Sequence, residues 1–191
     1  MKKIPTLFER IYDENGKIVG IKPIPKEGLE WVLNGEGEAT LKIDGSCCAV
    51  IGGEYYKRYD AKAGKTPPVG AIPCQEAPDP VTGHFPHWVK LSESNPGDKW
   101  FLKAFNNQQL ADGTYEAIGP HFQSNPYNLD EDTIYVHGST KMPDFPRDFE
   151  GMRNYLETHE IEGVVFWKDG EPKCKIKRSD FGFYWNKKGN R

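Results

Sequence analysis

The stretch Leu41-Lys42-Ile43-Asp44-Gly45-Ser46 decides how the rest of this chain is interpreted. A lysine lies between two apolar residues and is followed by Asp44-Gly45, a dipeptide typical of hairpin turns. The pattern predicts a strand over 40–43, a tight turn, and a returning strand over 46–51. Lys42 would then lie at the end of a strand, where a partly desolvated amine can attack an electrophile. The alternative for such a motif is a solvated lysine on a surface hairpin.

The composition indicates one folded domain over 1–191. A chain of 191 residues, of which 37% are hydrophobic, is long enough to bury a core. Its 20 glycines and 15 prolines favour short strands and many turns over a helical bundle. The net charge of -3 gives no overall basic field, but seven basic residues and one acid, Asp180, occupy 173–191. That local basic patch suits nucleic-acid phosphates, with a solvated tail as the alternative.

The N-terminal sequence does not resemble a targeting or membrane segment. Lys2 and Lys3 are followed by Ile4-Pro5-Thr6 rather than by an apolar signal core, and no long apolar run occurs. We therefore expect a cytoplasmic protein with no membrane partner, whose four cysteines stay reduced. A zinc site at Cys74, His84 and His87 is a weaker alternative, because the spacing is unusual and a fourth ligand is missing.

Short strands separated by turn residues are predicted along most of the chain. They cover 6–12, 17–21, 38–43, 46–51, 54–59, 100–105, 114–118, 133–137, 161–167 and 172–178. One helix is predicted over 146–160, with Asp144 as its N-cap. The segment 61–97 has no regular period and is interpreted as a long loop, either a substrate contact or a mobile insertion.

Further motifs follow the lysine stretch in a definite order. They are Lys42-Ile43-Asp44-Gly45, Arg58, Tyr115-Glu116-Ala117-Ile118-Gly119, Glu162-Gly163-Val164-Val165-Phe166 and Lys175-Ile176-Lys177. Together they resemble the ATP-dependent polynucleotide ligase and mRNA-capping superfamily. The chain is most similar to the compact 5′-to-3′ RNA ligases that include the animal RNA ligase 1 proteins. The segments 42–48 and 113–127 carry that similarity, which spans about 38–182. Motifs in this order are far more specific than the lysine motif alone.

The resemblance implies an α+β nucleotidyltransferase domain, similar to ATP-grasp folds, with two antiparallel sheets, flanking helices and the nucleotide cleft between the sheets. It also implies that no oligonucleotide-binding (OB-fold) domain follows Lys177, because too few residues remain. The implied ATP-binding residues are Lys42, Asp44, Gly45, Arg58, Glu116, His137, Glu162, Lys175 and Lys177.

The resemblance also assigns a role to each of these side chains. Lys42 is the catalytic nucleophile, an amine that the phosphates do not repel as they would a carboxylate. Lys175 and Lys177 are catalytic cations beside the α-phosphate. Glu116 holds a ribose hydroxyl, and the planar fork of Arg58 contacts a phosphate. Mg²⁺, with Mn²⁺ as the alternative ion, is implied at Glu162, Glu116 and Asp44.

The adenine contact and one departure from the pattern stay open in the sequence. The family places an aromatic ring for adenine in the strand that follows the Glu116 motif. His137 is our preferred residue and Tyr135 its rival, because alternate residues of a strand share a face. Many relatives carry Arg or Asn where this chain has Cys47, which affects the implied ribose and metal contacts.

The sequence therefore predicts a monomeric, ATP-dependent RNA ligase. The enzyme would join RNA 5′-phosphate and 3′-hydroxyl ends through a covalent lysyl-AMP and an AMP-capped 5′ end. The alternatives are a DNA ligase or a guanylyltransferase of the same superfamily, or a catalytically idle nucleic-acid-binding domain. The charged residues of all the motifs are intact, which argues against the idle domain.

Overall fold

A computed structural model describes residues 1–106 and 108–185. The chain divides into two compact units. The central unit consists of Met1–Lys3 and Asp44–His137, and the terminal unit consists of Ile4–Ile43 and 138–185, within the described residues. The lysine motif therefore spans the junction, with Lys42 in the terminal unit and Asp44 in the central unit.

Short antiparallel strands account for most of the regular structure. The strands are β1 (Phe8–Tyr12), β2 (Ile18–Pro25), β3 (Glu38–Lys42), β4 (Ser46–Ile51), β5 (Glu54–Ala61), β6 (Ile72–Pro73), β7 (Phe85–Lys90), β8 (Gly113–Ile118), β9 (Thr133–Val136), β10 (Gly163–Lys168) and β11 (Glu171–Lys177). The α-helices are α1 (Lys99–Phe105) and α2 (Phe149–Thr158). The fold is thus α+β with antiparallel sheets, as the sequence predicted. No helix within the described residues combines the length and apolarity that crossing a bilayer requires.

The central unit is built on a six-stranded sheet with the strand order β6-β7-β5-β4-β8-β9. One face of this sheet packs with α1 around a core that includes Cys48, Val50, Phe105 and Ala117. Because side chains alternate across a strand, Cys47 and Glu116 lie on the other face. The sheet therefore has one apolar face that holds the unit together and one face that carries polar, partly exposed side chains.

The terminal unit contains a three-stranded sheet with the order β11-β10-β3 and the separate hairpin β1-β2. One face of the three-stranded sheet packs against α2, with Met152, Leu156, Val164 and Ile176 fully buried. Helix α2 begins after Asp148, whose Oδ1 accepts a hydrogen bond of 2.8 Å from the Gly151 N–H. The opposite face of the sheet carries the lysines of the motifs.

The prediction of a hairpin around Asp44-Gly45 is wrong, because β3 and β4 do not pair with each other. Strand β3 pairs with β10 in the terminal unit, whereas β4 pairs with β5 and β8 in the central unit. Gly45 has no positive φ. A Cβ on Gly45 would lie 2.4 Å from the Ala117 carbonyl oxygen and 2.8 Å from Cγ of Glu116. The glycine is needed because the backbone passes close to β8, not because the chain turns back.

Other local predictions were confirmed or corrected. The hairpins β1-β2, β4-β5 and β10-β11 and the strands β8 and β9 are confirmed. The strand predicted over 100–105 is instead helix α1, because Asn95 caps the preceding turn Pro96–Asp98, which continues into the helix. The cap of α2 is Asp148 rather than Asp144. Strand β7 lies inside the segment 61–97, which was interpreted as a loop.

Candidate active site

The three motif lysines share one face of the terminal unit's sheet. Lys42 of β3 and Lys177 of β11 lie on either side of Gly163 in one cross-strand row. Lys175 lies in the next row on the same face, opposite Val165 of β10. Directly opposed residues of neighbouring strands project to the same side of a sheet. The sheet register thus brings Lys42 next to Lys175 and Lys177, which follow it by more than a hundred positions in the sequence.

Lys42 is held by a carboxylate rather than by solvent alone. Its Nζ donates a hydrogen bond of 2.6 Å to Oε2 of Glu162, which immediately precedes β10. The Lys42 side chain is 21% exposed and that of Glu162 is 12% exposed. A partly buried ammonium paired with a carboxylate is oriented along one direction. The structure therefore does not contain the freely solvated lysine that was the alternative interpretation of this motif.

Gly163 allows β10 and β11 to pack closely beside the motif lysines. A Cβ at this position would lie 2.2 Å from the Ile176 carbonyl oxygen and 2.9 Å from Cα of Lys177. Any side chain would force β10 away from β11, and with it Lys177 away from Lys42. The glycine of the Glu162-Gly163 motif is therefore required by the close packing of these two strands.

Two residues of the predicted basic patch, Lys173 and Arg178, make contacts within the terminal unit. Lys173 pairs with Glu171 at 2.6 Å. The Arg178 guanidinium donates to backbone carbonyls at the end of α2, including that of His159 at 3.0 Å, and to the Tyr184 carbonyl at 2.7 Å. These contacts hold the end of β11 to α2. The remaining basic residues of the patch, Lys187, Lys188 and Arg191, lie outside the described residues.

A second group of predicted residues lies on the polar face of the central unit's sheet. Cys47 of β4 pairs with Glu116 of β8, and Glu116 pairs with Tyr135 of β9. His137 directly follows β9, two residues beyond Tyr135, and so returns to the same face. Arg58 is also on this face, because Lys57 pairs with Cys48 on the opposite one.

Glu116 and His137 are joined by a hydrogen bond of 2.7 Å between Oε2 and the ring Nε2. The other ring nitrogen, Nδ1, lies 3.0 Å from the hydroxyl of Thr114. Both side chains are mostly buried, His137 at 16% and Glu116 at 12% exposure. The imidazole is therefore fixed at both nitrogens. These bonds engage the edge of the His137 ring and not its faces. The stacking of adenine on His137 or Tyr135 stays a prediction.

The thiol of Cys47 completes this group. One ligand atom from each of Cys47, Glu116 and His137 lies within 4.8 Å of the others, and no second group of three such donors occurs within residues 1–106 and 108–185. The zinc alternative at Cys74, His84 and His87 is thus unsupported there. Burial, and then the Glu116 carboxylate, raises the pKa of the Cys47 thiol to about 12.

Asp44 and Arg58 have more modest positions. The Asp44 backbone N–H donates to the Tyr127 hydroxyl at 2.7 Å, which fixes the start of the central unit. The Arg58 guanidinium lies 4.0 Å from the Asp60 carboxylate and is 21% exposed. Among residues 1–106 and 108–185 this long contact is its one ion pair, which leaves its remaining donors available to a phosphate. The carboxylates predicted to hold magnesium are divided between the units, with Glu162 in the terminal one.

Thr114 and Tyr127 are not among the predicted site residues, although both lie in the segment 113–127 that carries the similarity. Thr114 lies two residues before Glu116 on β8, so alternation alone would have placed it on the same face. Tyr127 contacts Asp44 across 83 positions, and no local pattern announces that contact. Cys47 was noticed as a departure from the motif, but not as a neighbour of Glu116 and His137.

No protein-family model matches this chain, and no curated protein matches it significantly.

Proposed function

We propose that this protein is an ATP-dependent RNA ligase that uses Lys42 as a covalent AMP carrier. The observation that carries the proposal is the lysine face of the terminal unit. Lys42 is oriented by Glu162 at 2.6 Å and shares a row with Lys177 across the side-chain-free Gly163. A nucleophilic amine next to a second cation is the arrangement that attack on a phosphate requires.

The first step forms a phosphorus–nitrogen bond. After Nζ of Lys42 loses a proton, its lone pair attacks the α-phosphorus of ATP. The bond from that phosphorus to the bridging oxygen breaks, and pyrophosphate leaves with the electron pair. Glu162 accepts a hydrogen bond from Nζ and is placed to receive the proton. Lys175 and Lys177 stabilise the negative charge that grows on the phosphate oxygens and the leaving group.

Two further transfers complete the reaction. An oxygen of an RNA 5′-phosphate attacks the phosphorus of lysyl-AMP, the phosphorus–nitrogen bond breaks, and Lys42 regains its amine. A 3′-hydroxyl then attacks the RNA 5′-phosphorus, AMP leaves, and a phosphodiester remains. The fork of Arg58, with one long contact to Asp60, suits a phosphate of an RNA end.

Magnesium fits the donor set only in part. Glu162 offers the carboxylate oxygens that Mg²⁺ prefers, and one of them already accepts from Lys42. Glu162 is therefore the residue that would hold the ion in the terminal unit, directly or through water. A bound Mg²⁺ would neutralise phosphate charge. Glu116 has a nitrogen and a sulfur as its nearest donors, which suit Mg²⁺ poorly.

The intact-protein mass after incubation with ATP and Mg²⁺ tests this function. We expect a gain of one AMP, on the order of 330 Da, that is absent in Lys42→Ala. Lys141→Ala is the matched control, because Lys141 lies in the same unit and pairs on the surface with Glu38. GTP in place of ATP separates a ligase from a guanylyltransferase, and RNA against DNA ends separates the two ligases.

A folded protein that arrives without bound AMP and gains no mass would contradict the proposal. If such a protein still bound RNA, the idle nucleic-acid-binding domain would take its place. A gain that persists in Lys42→Ala would move the nucleophile to another residue and remove the main argument from the lysine face.

A further inference from the structure

The group formed by Cys47, Glu116 and His137 combines donor atoms that the magnesium ion of the ligase reaction does not favour. A thiol, an imidazole and a carboxylate approach one another to within 4.8 Å on the polar face of the central unit's sheet. Magnesium binds oxygen donors almost exclusively. Sulfur with nitrogen is instead the combination that selects zinc and related transition ions.

The backbone that presents these donors is rigid. Cys47 and Glu116 are directly opposed on two neighbouring strands, β4 and β8, so their spacing is set by sheet hydrogen bonds. His137 immediately follows β9, the next strand of the same sheet. Sites on strands hold ligands more accurately than sites on loops do.

A supporting residue stands behind the imidazole. The Thr114 hydroxyl lies 3.0 Å from Nδ1 of His137. If Nε2 bound a metal, Nδ1 would carry the proton, and a hydroxyl can accept that hydrogen bond. A partner on the second ring nitrogen, fixing tautomer and orientation, is the usual companion of a metal-binding histidine.

The arrangement needs three changes before it can coordinate an ion. Ligand atoms of tetrahedral zinc are separated by about 3.5 Å, and because the atoms here all lie within 4.8 Å of one another, no pair must close by more than about 1.3 Å. The hydrogen bond between Glu116 and His137 must open, and the Cys47 thiol must release its proton to the solvent. The Arg58 guanidinium, next to Cys47 on this face, opposes the ion and limits its affinity.

We propose that Cys47, Glu116 and His137 form a binding site for Zn²⁺ with three protein ligands and one open position. Three protein ligands and an exchangeable fourth position are typical of accessible zinc sites. One consequence rests on the proposed ligase function. If Glu116 holds the ribose of ATP, the same carboxylate cannot hold Zn²⁺ at once, and zinc acts against ATP binding.

Cobalt titration of the chelator-treated full chain tests the site without ATP or catalysis. We expect one equivalent of Co²⁺ to bind with a near-ultraviolet thiolate-to-cobalt absorption and an intense visible band, both removed when Zn²⁺ is added. Cys47→Ser should abolish the thiolate absorption. Cys174→Ala is the control, because that cysteine is buried in the terminal unit and should leave the spectrum unchanged.

Two more variants keep the test independent of any single folding defect. His137→Gln should weaken Co²⁺ binding by more than tenfold, and Thr114→Val by roughly tenfold, the usual effect of losing a supporting partner. Circular dichroism confirms that each variant is folded. The proposal is overturned if the wild-type chain gives no thiolate absorption, or if that absorption persists in folded Cys47→Ser. Because no nucleotide is present, neither result bears on the ligase proposal.

Discussion

Two carboxylates, one in each unit, have the same exposure but differ in the basic side chain that contacts them. Glu162 of the terminal unit and Glu116 of the central unit are both 12% exposed; Glu162 contacts a basic group at 2.6 Å, and Glu116 contacts a basic group at 2.7 Å. The partner of Glu162 is Lys42, an ammonium on a long flexible chain. The partner of Glu116 is His137, a ring that Thr114 fixes from the other side.

This difference in partners indicates that the two carboxylates have different roles. A lysine on a flexible stem can move its nitrogen towards an electrophile after it leaves the carboxylate. An imidazole fixed at both nitrogens cannot move far, and it serves to hold a carboxylate or a ligand in place. We therefore expect changes near Glu162 to alter the rate of a chemical step, and changes near Glu116 to alter binding.

The largest effect should follow Lys177→Ala in the terminal unit. Removing this cation from the row of Lys42 should lower the rate of lysine adenylylation at saturating ATP by roughly 100-fold or more, because charge in the transition state loses its partner. Single-turnover mass spectrometry measures the rate. Lys173→Ala is the control, since that lysine pairs with Glu171 further along β11 and should keep the wild-type rate.

A near-normal rate in Lys177→Ala would remove the lysine face from the mechanism. The assignment of the chemical step to the region around Glu162 would then be wrong.

An intermediate effect should follow when the close-packed glycines are replaced, one in each unit. Gly163→Ala and Gly45→Ala should each lower the free energy of unfolding by about 1–3 kcal/mol, because their Cβ atoms would overlap backbone oxygens at 2.2 Å and 2.4 Å. Urea denaturation measures the change. Gly20→Ala is the control, because its Cβ would meet only Ile11 at an ordinary 3.8 Å.

The two glycine variants also sharpen the comparison when their activities are measured. Gly163→Ala should slow adenylylation, since it moves β10 from β11, whereas Gly45→Ala should raise the ATP concentration required, since it displaces Glu116. Equal effects of both variants on the same kinetic parameter would contradict the division of roles.

The smallest effect should come from the support of Glu116. His137→Ala should weaken ATP binding by about tenfold and change the rate at saturating ATP little, because it releases a positioned carboxylate and leaves Lys42 in place. Thr114→Val, which removes only the contact to Nδ1, should weaken binding by a smaller factor. A His137→Ala rate as low as that of Lys177→Ala would show that the two regions act alike.

The dipeptide Asp-Gly explains how far the sequence could predict this fold. Asp169-Gly170 turns β10 into β11, with φ of 54° and 74°, as the two-residue hairpin pattern requires. Asp44-Gly45 has the same letters and forms no turn, because β4 finds its partner in β8 and β3 finds its partner in β10. Local patterns predict a turn only where the following strand has no better partner elsewhere.

The candidate site shows the same limit. The motifs identified Lys42, Glu116 and Glu162 as separate charged residues, and alternation along a strand suggested that Lys175 and Lys177 share a face. The bond from Lys42 to Glu162 joins residues 120 positions apart, so its existence depends on strand order that no local pattern contains. The position of Cys47 beside His137 depends on the order β4-β8-β9 in the same way.

The insertion of the central unit between β3 and β10 also sets the order in which the protein is completed during synthesis. The stretch 44–137 is continuous and can form its sheet early, because its pairings are closer in sequence. Strand β3 leaves the ribosome before the central unit, but its partner β10 is synthesised only after that unit. A nascent or truncated chain thus carries Lys42 without Glu162 or Lys177. The covalent chemistry proposed for that lysine would therefore begin only after β10 and β11 have been synthesised.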